Sequence, residues 1–394
     1  MNHVMETYKR LDIAPVSGKG SWLFDAEGNR YLDFIAGIAT NALGHSHPAL
    51  VEAIQEQAEN LIHCSNLYEI PIQEEVAGML TDATDFDEVF FCNSGAEANE
   101  AAIKLARKHA ASNYGPDRYE ILTFDKSFHG RTYGGLSATA QPALQEAFGP
   151  MLPGFAYAPF GDLEAAREAV GPQTAAILVE PIQGEGGINV APEGFLEGLR
   201  ELCDEHGALL IFDEVQTGMG RTGYLYAYQG KGVVPDVLTS AKGLGGGVPV
   251  GAMLAKKECS ALGPGNHGST FGGNPLAMAA VKAVLGVVND PRFLEEVKFK
   301  GNILKSALEV LAERVPGAEV RGEGLLLGLD LGPDLAPELF QDCLDDGLLV
   351  NLVGGTTVRL APPLTVTRTE VRHALDTFRE AIDTPVSVPE YAVA

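Results

Sequence analysis

Between about Asp87 and Lys257, short apolar, β-branched or aromatic runs alternate with stretches rich in Ala, Leu and Glu. The runs Glu88–Phe91, Glu120–Phe124, Ala175–Glu180, Ala208–Asp213, Val237–Ser240 and Gly251–Ala255 read as strands. Ala96–Ala111 and Glu193–His206, lying between them, read as helices. Strands that are apolar on nearly every residue must be covered on both faces. Strands separated by helices then predict an α/β fold with a mainly parallel sheet. In such sheets ligands collect at the carboxyl ends of the strands, and the motifs below fall at those ends.

The chain's two ends read differently. Ser21–Phe34 predicts a hairpin with its turn at Asp25–Asn29, Gly28 supplying a positive φ. From about Asp290 an amphipathic helix (Phe293–Val315) is followed by strands at Glu319–Gly322, Leu325–Asp330 and Val358–Leu360 and by a last helix, Glu370–Ile382. We expect residues 51–285 to form a large domain, and residues 1–50 and 286–394 to form a smaller α+β domain together. A chain of 394 residues exceeds what one hydrophobic core usually holds.

Charge and cysteine content narrow the function classes. With 28 basic and 53 acidic residues the formal charge is −25, which disfavours nucleic acid or an anionic membrane as partner. No apolar run approaches the length that spans a bilayer, and Met1–Gly20 shows no apolar signal core. Cys64, Cys92, Cys203, Cys259 and Cys343 are scattered and odd in number. They suit free thiols in a cytoplasmic protein better than a disulfide frame or a zinc site.

Four segments have the composition of a reaction site. In Phe91–Glu100 a strand meets a small-residue turn (Ser94, Gly95, Ala96) and then an Ala-rich helix. Such a helix start attracts anions such as phosphate, although an ordinary capped helix has the same pattern. No Walker motif occurs, and no G-x-G-x-x-G follows a strand with the spacing of a dinucleotide site. Leu209–Gly218 delivers Asp213 and Glu214 at a strand end, pointing to opposite faces. A carboxylate buried there needs a partner: a protonated ring nitrogen, a metal or a structural cation. Lys242 stands at the end of the Leu238–Ala241 run, before glycines. Desolvation would make its amine an imine-forming nucleophile; the alternative is a solvent-facing lysine.

In Phe128–Arg131 the aromatic ring suits stacking on a flat ring, and Arg131 suits a two-pronged grip on a carboxylate. Glu185 sits among Gly184, Gly186 and Gly187, and Arg359 sits between apolar neighbours; surface or structural pairing is the alternative for each. His45-Ser46-His47 reads as a turn before Pro48 rather than a metal site. One anion site, one aromatic, one buried acid and one strand-end lysine together fit pyridoxal 5′-phosphate.

The order and wording of these motifs resemble the class III pyridoxal-phosphate aminotransferases over nearly the whole chain. The likeness rests on Asn93–Glu97, Phe128–Arg131, Glu180–Gly187, Phe212–Gly220, Thr239–Gly247, His267–Pro275 and Arg359–Pro363. It implies fold type I, with a seven-stranded sheet in the large domain. It also implies that Lys242 forms the imine with the cofactor and shuttles the proton, and that Asp213 keeps the pyridine nitrogen protonated. Phe128 and Val215 would sandwich the ring and Gln216 would contact its 3-oxygen. Ser94, Gly95 and Ala96 would hold the phosphate, and Thr270 would reach the phosphate of the neighbouring subunit, making a homodimer necessary. Arg131, Glu185, Arg359 and Ser269 would bind substrate, with no metal involved.

Within the family, the resemblance implies N2-acetylornithine as donor and 2-oxoglutarate as acceptor, in arginine biosynthesis. Ornithine, succinylornithine, succinyldiaminopimelate and 4-aminobutyrate are the alternative donors. Related ornithine aminotransferases carry a tyrosine that contacts the free α-amine, in the stretch matching Phe34–Gly44. Ile38 aligns there, which suits an acylated nitrogen. Glu185 would pair with Arg359 for the donor and swing away for the acceptor, on a loop loosened by its glycines.

Overall fold

The computed structural model describes residues 3–383; Met1, Asn2 and 384–394, the end of the expected C-terminal segment, lie outside the described residues. A seven-stranded sheet organises the middle of the chain. Its spatial order is Glu88–Cys92, Gly251–Ala255, Val237–Ser240, Leu209–Asp213, Thr174–Val179, Glu120–Phe124 and Phe155–Ala158. All neighbours are parallel except Gly251–Ala255, which is antiparallel to both of its own. The central strands Thr174–Val179, Leu209–Asp213 and Val237–Ser240 are buried at every residue. That is why they read as unbroken apolar runs.

The sequence pattern did not mark the seventh strand, Phe155–Ala158. It has four residues at the sheet edge and is partly exposed, with Tyr157 open to solvent. It therefore lacks the signature of double-sided burial.

The helix Gly95–Tyr114 lies against this sheet through Ala98, Ala101, Ala102, Leu105 and Ala106, small side chains that permit close approach. Ser94 caps it by accepting from the Glu97 amide, and Glu97 Oε2 accepts from the Asn93 amide at 2.7 Å. The helix Phe195–His206 is bounded by Gly194 and Gly207, both in the left-handed region.

The chain's ends meet in a smaller α+β part. Trp22–Asp25 and Arg30–Asp33 form the expected hairpin, with Gly28 at φ +90°. Pro15–Lys19 extends it, and Leu348–Leu349 pairs in parallel with Arg30–Asp33. Trp22 Nε1 donates to Glu370 Oε1 at 2.8 Å, tying this hairpin to the helix Arg368–Asp383. A second sheet, antiparallel throughout, runs Glu319–Glu323, Leu326–Asp330, Thr357–Leu360, Asn351–Val353. The helices Pro291–Ala312 and Gly332–Asp345 complete this part. Among the described residues no helix is long and apolar enough to cross a membrane.

After the hairpin, Ala36–Ala39 makes one left-handed turn, with φ of 49°, 64°, 65° and 60°. Left-handed backbone costs roughly 1–2 kcal/mol per non-glycine residue, so it needs support. Asp33 Oδ1 accepts from the amides of Ile35 and Ala36, and Asp33 Oδ2 meets His45 Nε2 at 2.8 Å. His45 is thus a brace for this turn, and His47 precedes the helix Pro48–Asn60.

Candidate active site

The carboxyl ends of the parallel strands open into a cavity of about 400 Å³. Ser94, Gly95, Ala96, Phe128, Arg131, Glu185, Asp213, Val215, Gln216 and Lys242 all line it. Residues separated by up to 148 positions in sequence thus share one wall because the sheet aligns their strand ends.

Asp213 ends the strand Leu209–Asp213 and is buried. Its Oδ2 accepts from Asn99 Nδ2 and from His129 Nδ1, each at 2.8 Å, and its Oδ1 accepts from the Val215 amide at 3.0 Å. Asn99 is itself held, with its Oδ1 accepting from Thr239 Oγ1 at 2.7 Å. Glu214 turns to the other face, as strand alternation requires. There it accepts from Thr217 Oγ1 and from the amides of Ala227 and Tyr228. Burial pushes Glu214 up to about 7 despite those donors.

Lys242 opens a 3₁₀ turn, two residues past the end of the strand Val237–Ser240, at φ +47°. Burial among protein groups lowers its amine to about 8, against the opposing pull of Glu185. Glu180, also on the cavity, accepts from the Phe128 and Gly184 amides at 3.1 and 3.3 Å. Burial, and then the neighbouring Asp213, raise it well above the usual carboxylate range.

A second cluster lies behind two cavity-lining residues, Glu185 and Gln216, and is built on Arg359 of the small antiparallel sheet, which does not itself line the cavity. Arg359 is 2% exposed. Its Nη1 donates to Glu185 Oε1 at 2.6 Å and to Gln216 Oε1 at 3.2 Å, and its Nη2 donates to Asn351 Oδ1 at 3.0 Å. Gln216 Nε2 also donates to Glu185 Oε1 at 3.2 Å. Burial works against the Glu185 charge, but Arg359 and Lys242 outweigh it and hold its carboxyl below the usual range. Arg131, in contrast, is exposed at the cavity rim, its guanidinium 5.5 Å from the centre of the Phe128 ring.

Three of these positions have surroundings that the sequence did not show. At Gly95 packing against Val215 leaves no room for a side chain: a Cβ there would lie 2.6 Å from Val215 Cγ1. Gly184 and Gly186 are likewise small because Gln216 and the Lys126 carbonyl press against them. The Glu185 segment is therefore a pinned hairpin rather than a loose loop. Asn189 Nδ2 bonds the Gly186 carbonyl, and Gln183 Nε2 bonds the Asp125 carbonyl. Ser269 and Thr270 do not line the main cavity. They border a neighbouring one of about 510 Å³, where Ser269 Oγ accepts from Asn93 Nδ2 at 3.0 Å. Asn93 lines both.

Ile38 stands 41% exposed in the left-handed turn, and Thr40, two residues on, lines the cavity. Sequence reasoning did not single out Asn99, His129, Glu180 or Asn351. Asn99, His129 and Glu180 sit inside the segments Phe91–Glu100, Phe128–Arg131 and Glu180–Gly187, whereas Asn351 becomes visible only through its partner.

The cavity's features suit pyridoxal phosphate. A low-pKa amine faces it, a buried carboxylate bonded to Asn99 and His129 lies in one wall, and Phe128 and Val215 contribute apolar surface. A 20-residue helix starts at its edge, where anions are favoured. Fold and pocket together define a fold type I pyridoxal-phosphate-dependent transaminase.

Comparison with known proteins narrows the class. The model of the family "Aminotransferase class-III" matches residues 4–382. Acetylornithine aminotransferase of Caldanaerobacter subterraneus subsp. tengcongensis is 51% identical over 381 residues, 96% of this chain and 97% of that protein. The crystal structure of acetylornithine aminotransferase from Elizabethkingia anophelis is 37% identical, with a TM-score of 0.85 and 96% of each chain covered. Ornithine aminotransferase from Toxoplasma gondii ME49 is 34% identical with a TM-score of 0.93, covering 96% of this chain and 92% of that one. The chain belongs to the class III aminotransferases.

Proposed function

We propose that the protein moves the δ-amino group of N2-acetyl-L-ornithine to 2-oxoglutarate, in a ping-pong cycle of arginine biosynthesis. The products are N-acetyl-L-glutamate 5-semialdehyde and L-glutamate. The observation that carries this reading is the pairing of buried Arg359 with Glu185, 2.6 Å apart, where Glu185 lines the same cavity as an exposed Arg131. The donor has one carboxylate and the acceptor two, so one arginine must be masked in the first half-reaction and bare in the second. A carboxylate that neutralises a buried guanidinium does this at less cost than leaving it uncompensated beside an apolar chain.

Pyridoxal phosphate, when bound, supplies the electron sink for the carbon that bears the amino group. Lys242 carries the reacting amine at Nζ, and an amine titrating near 8 keeps a neutral fraction of roughly a tenth or more at neutral pH, far above that of an ordinary lysine, and can accept a proton and return it. Asp213, fixed by His129 and Asn99, would hold a proton at the ring nitrogen. Phe128 and Val215 would flank the ring, and Ser94, Gly95 and Ala96 would hold the phosphate at the helix start. Gln216 bridges Glu185 and Arg359, and would contact the ring's 3-oxygen. Arg131 would grip the carboxylate common to both substrates.

We also assign a homodimer, in the cytoplasm. Thr270 is exposed and lies off its own cavity, next to a surface with Leu67 88%, Tyr68 69% and Phe271 58% exposed. Such a patch suits burial against a second copy. Thr270 and Ser269 would then serve the other subunit's site.

A donor panel with purified holoenzyme tests the reading. kcat/KM for N2-acetylornithine should exceed that for ornithine, succinylornithine, succinyldiaminopimelate and 4-aminobutyrate, with turnover dependent on 2-oxoglutarate. A higher value for ornithine would overturn the donor assignment, and turnover without a keto acid would overturn the reaction class.

A further inference from the structure

We infer that Asn351 is the positioning residue that keeps Arg359 aimed at the acceptor's second carboxylate when Glu185 withdraws. The inference rests on the reading of Arg359 as the acceptor's partner.

Arg359 lies on an inner strand of the four-stranded antiparallel sheet, directly opposite Asn351 on one side and Gly328 on the other. Directly opposed residues of an antiparallel pair share a face. Gly328 offers no side chain, so Asn351 is the one lateral support the sheet supplies. The two ends of the guanidinium are divided between two kinds of partner. Nη1 faces Glu185 and Gln216, and Nη2 faces Asn351 Oδ1 at 3.0 Å. Withdrawal of Glu185 removes the charged partner of Nη1, which keeps Gln216 Oε1 at 3.2 Å and the Gly184 carbonyl at 3.4 Å, and leaves the Nη2 contact untouched.

Without a hold on Nη2, only the neutral contacts of Nη1 on the Glu185 side would remain, and the long side chain could turn after its departing counter-ion. With that hold, the guanidinium stays while the carboxylate leaves. The pinned backbone on either side of Glu185 points the same way: the side chain is the part free to turn.

The chemistry of the anchor matters. An amide oxygen fixes direction but carries no charge, so Arg359 keeps its full charge for the substrate. A carboxylate at the same position would be a counter-ion that cannot leave, because strand register holds it there.

The test uses holoenzyme of Asn351→Asp, Asn351→Ala and Arg359→Ala. Four quantities are read: KM for 2-oxoglutarate, the single-turnover rate of the donor half-reaction with N2-acetylornithine, and the affinities for glutarate and for butyrate by calorimetry. Glutarate has both carboxylates and no keto group. In Asn351→Asp, KM for 2-oxoglutarate should rise and glutarate affinity should fall by about tenfold or more, the size of a lost charge-assisted contact. Asn351→Ala should shift both the same way by a smaller factor. The donor half-reaction and binding of the monocarboxylate butyrate should stay within about twofold in Asn351→Asp.

Equal losses on donor and acceptor sides would mean a merely structural role and would overturn the inference. So would unchanged glutarate affinity in Asn351→Asp while Arg359→Ala abolishes it. If Arg359→Ala leaves both glutarate affinity and 2-oxoglutarate KM unchanged, the reading of Arg359 itself fails.

Discussion

The site has two ends built on different principles. At the Lys242 end the groups come from the seven-stranded sheet, the turns that follow its strands and the helix packed on it, and the carboxylates there, Asp213 and Glu180, are each fixed by hydrogen bonds. Asp213 meets Asn99 and His129, and Asn99 is braced by Thr239. At the Arg359 end, three separate elements meet: the Ile182–Val190 hairpin through Glu185, the turn after the strand Leu209–Asp213 through Gln216, and the small sheet through Arg359 and Asn351. The first end is a fixed frame, as proton transfer at a set distance requires. The second is a charge pair between independently supported elements, which can part without disturbing either. Chemistry and substrate alternation are thus separated in space.

The largest effect that would sharpen this contrast is Lys242→Ala. Turnover should fall by about 10⁴-fold or more, with the far-ultraviolet dichroism and melting temperature little changed. Retained turnover would refute the lysine's role.

Next comes the opposite end. Arg359→Ala should raise KM for 2-oxoglutarate by about 10²-fold, while the donor half-reaction changes much less. Glu185→Gln, which unmasks the arginine, should instead weaken donor use by about tenfold, since a buried guanidinium is left without its counter-ion. A uniform loss on both substrates in both variants would erase the division between the two ends.

A third measurement concerns pH. Burial favours the neutral amine, so Lys242 should become reactive at lower pH than exposed lysines. Its acylation rate in the apoprotein, followed by competitive labelling, should rise with pH and level off above about 8. A midpoint near the ordinary lysine value would contradict the enclosed setting.

The smallest effect lies across the sheet from Asp213. Glu214 is raised to about 7 by burial, so between about 4.5 and 7 the folded protein binds a proton that the unfolded chain releases. Its contribution to stability therefore falls as pH rises through that window, with a slope of at most about 1.4 kcal/mol per pH unit. Denaturant melts of Glu214→Gln should show a flatter profile there. An unchanged slope would mean that the hydrogen bonds from Thr217, Ala227 and Tyr228 hold the carboxylate ionised.

Much of this arrangement was legible in the sequence, and the exceptions have a common cause. Leu209–Asp213 and Val237–Ser240 announced themselves because double-sided burial demands uninterrupted apolar residues. Phe155–Ala158 did not, because an edge strand has no such demand. Asp213 and Lys242 could be named because a charge at the end of an apolar strand conflicts with its surroundings. Asn351 and Asn99 raise no conflict by themselves; each becomes meaningful only beside the group it holds. The glycines around Glu185 misled for a related reason. A missing side chain reads as freedom along the chain, whereas in space it was room for Gln216 and the Lys126 carbonyl.

What the chain by itself determined was the alternation of elements, the strand ends that carry charge, and the residue types able to hold a phosphorylated aldehyde and move a proton. These follow from local rules, since burial, periodicity and capping are written within a few residues of one another. What only the tertiary structure decided was which charges meet. Arg359 reaches Glu185, Gln216 and Asn351 because two sheets and a hairpin converge, and contacts between elements so far apart in sequence leave no local periodicity to read.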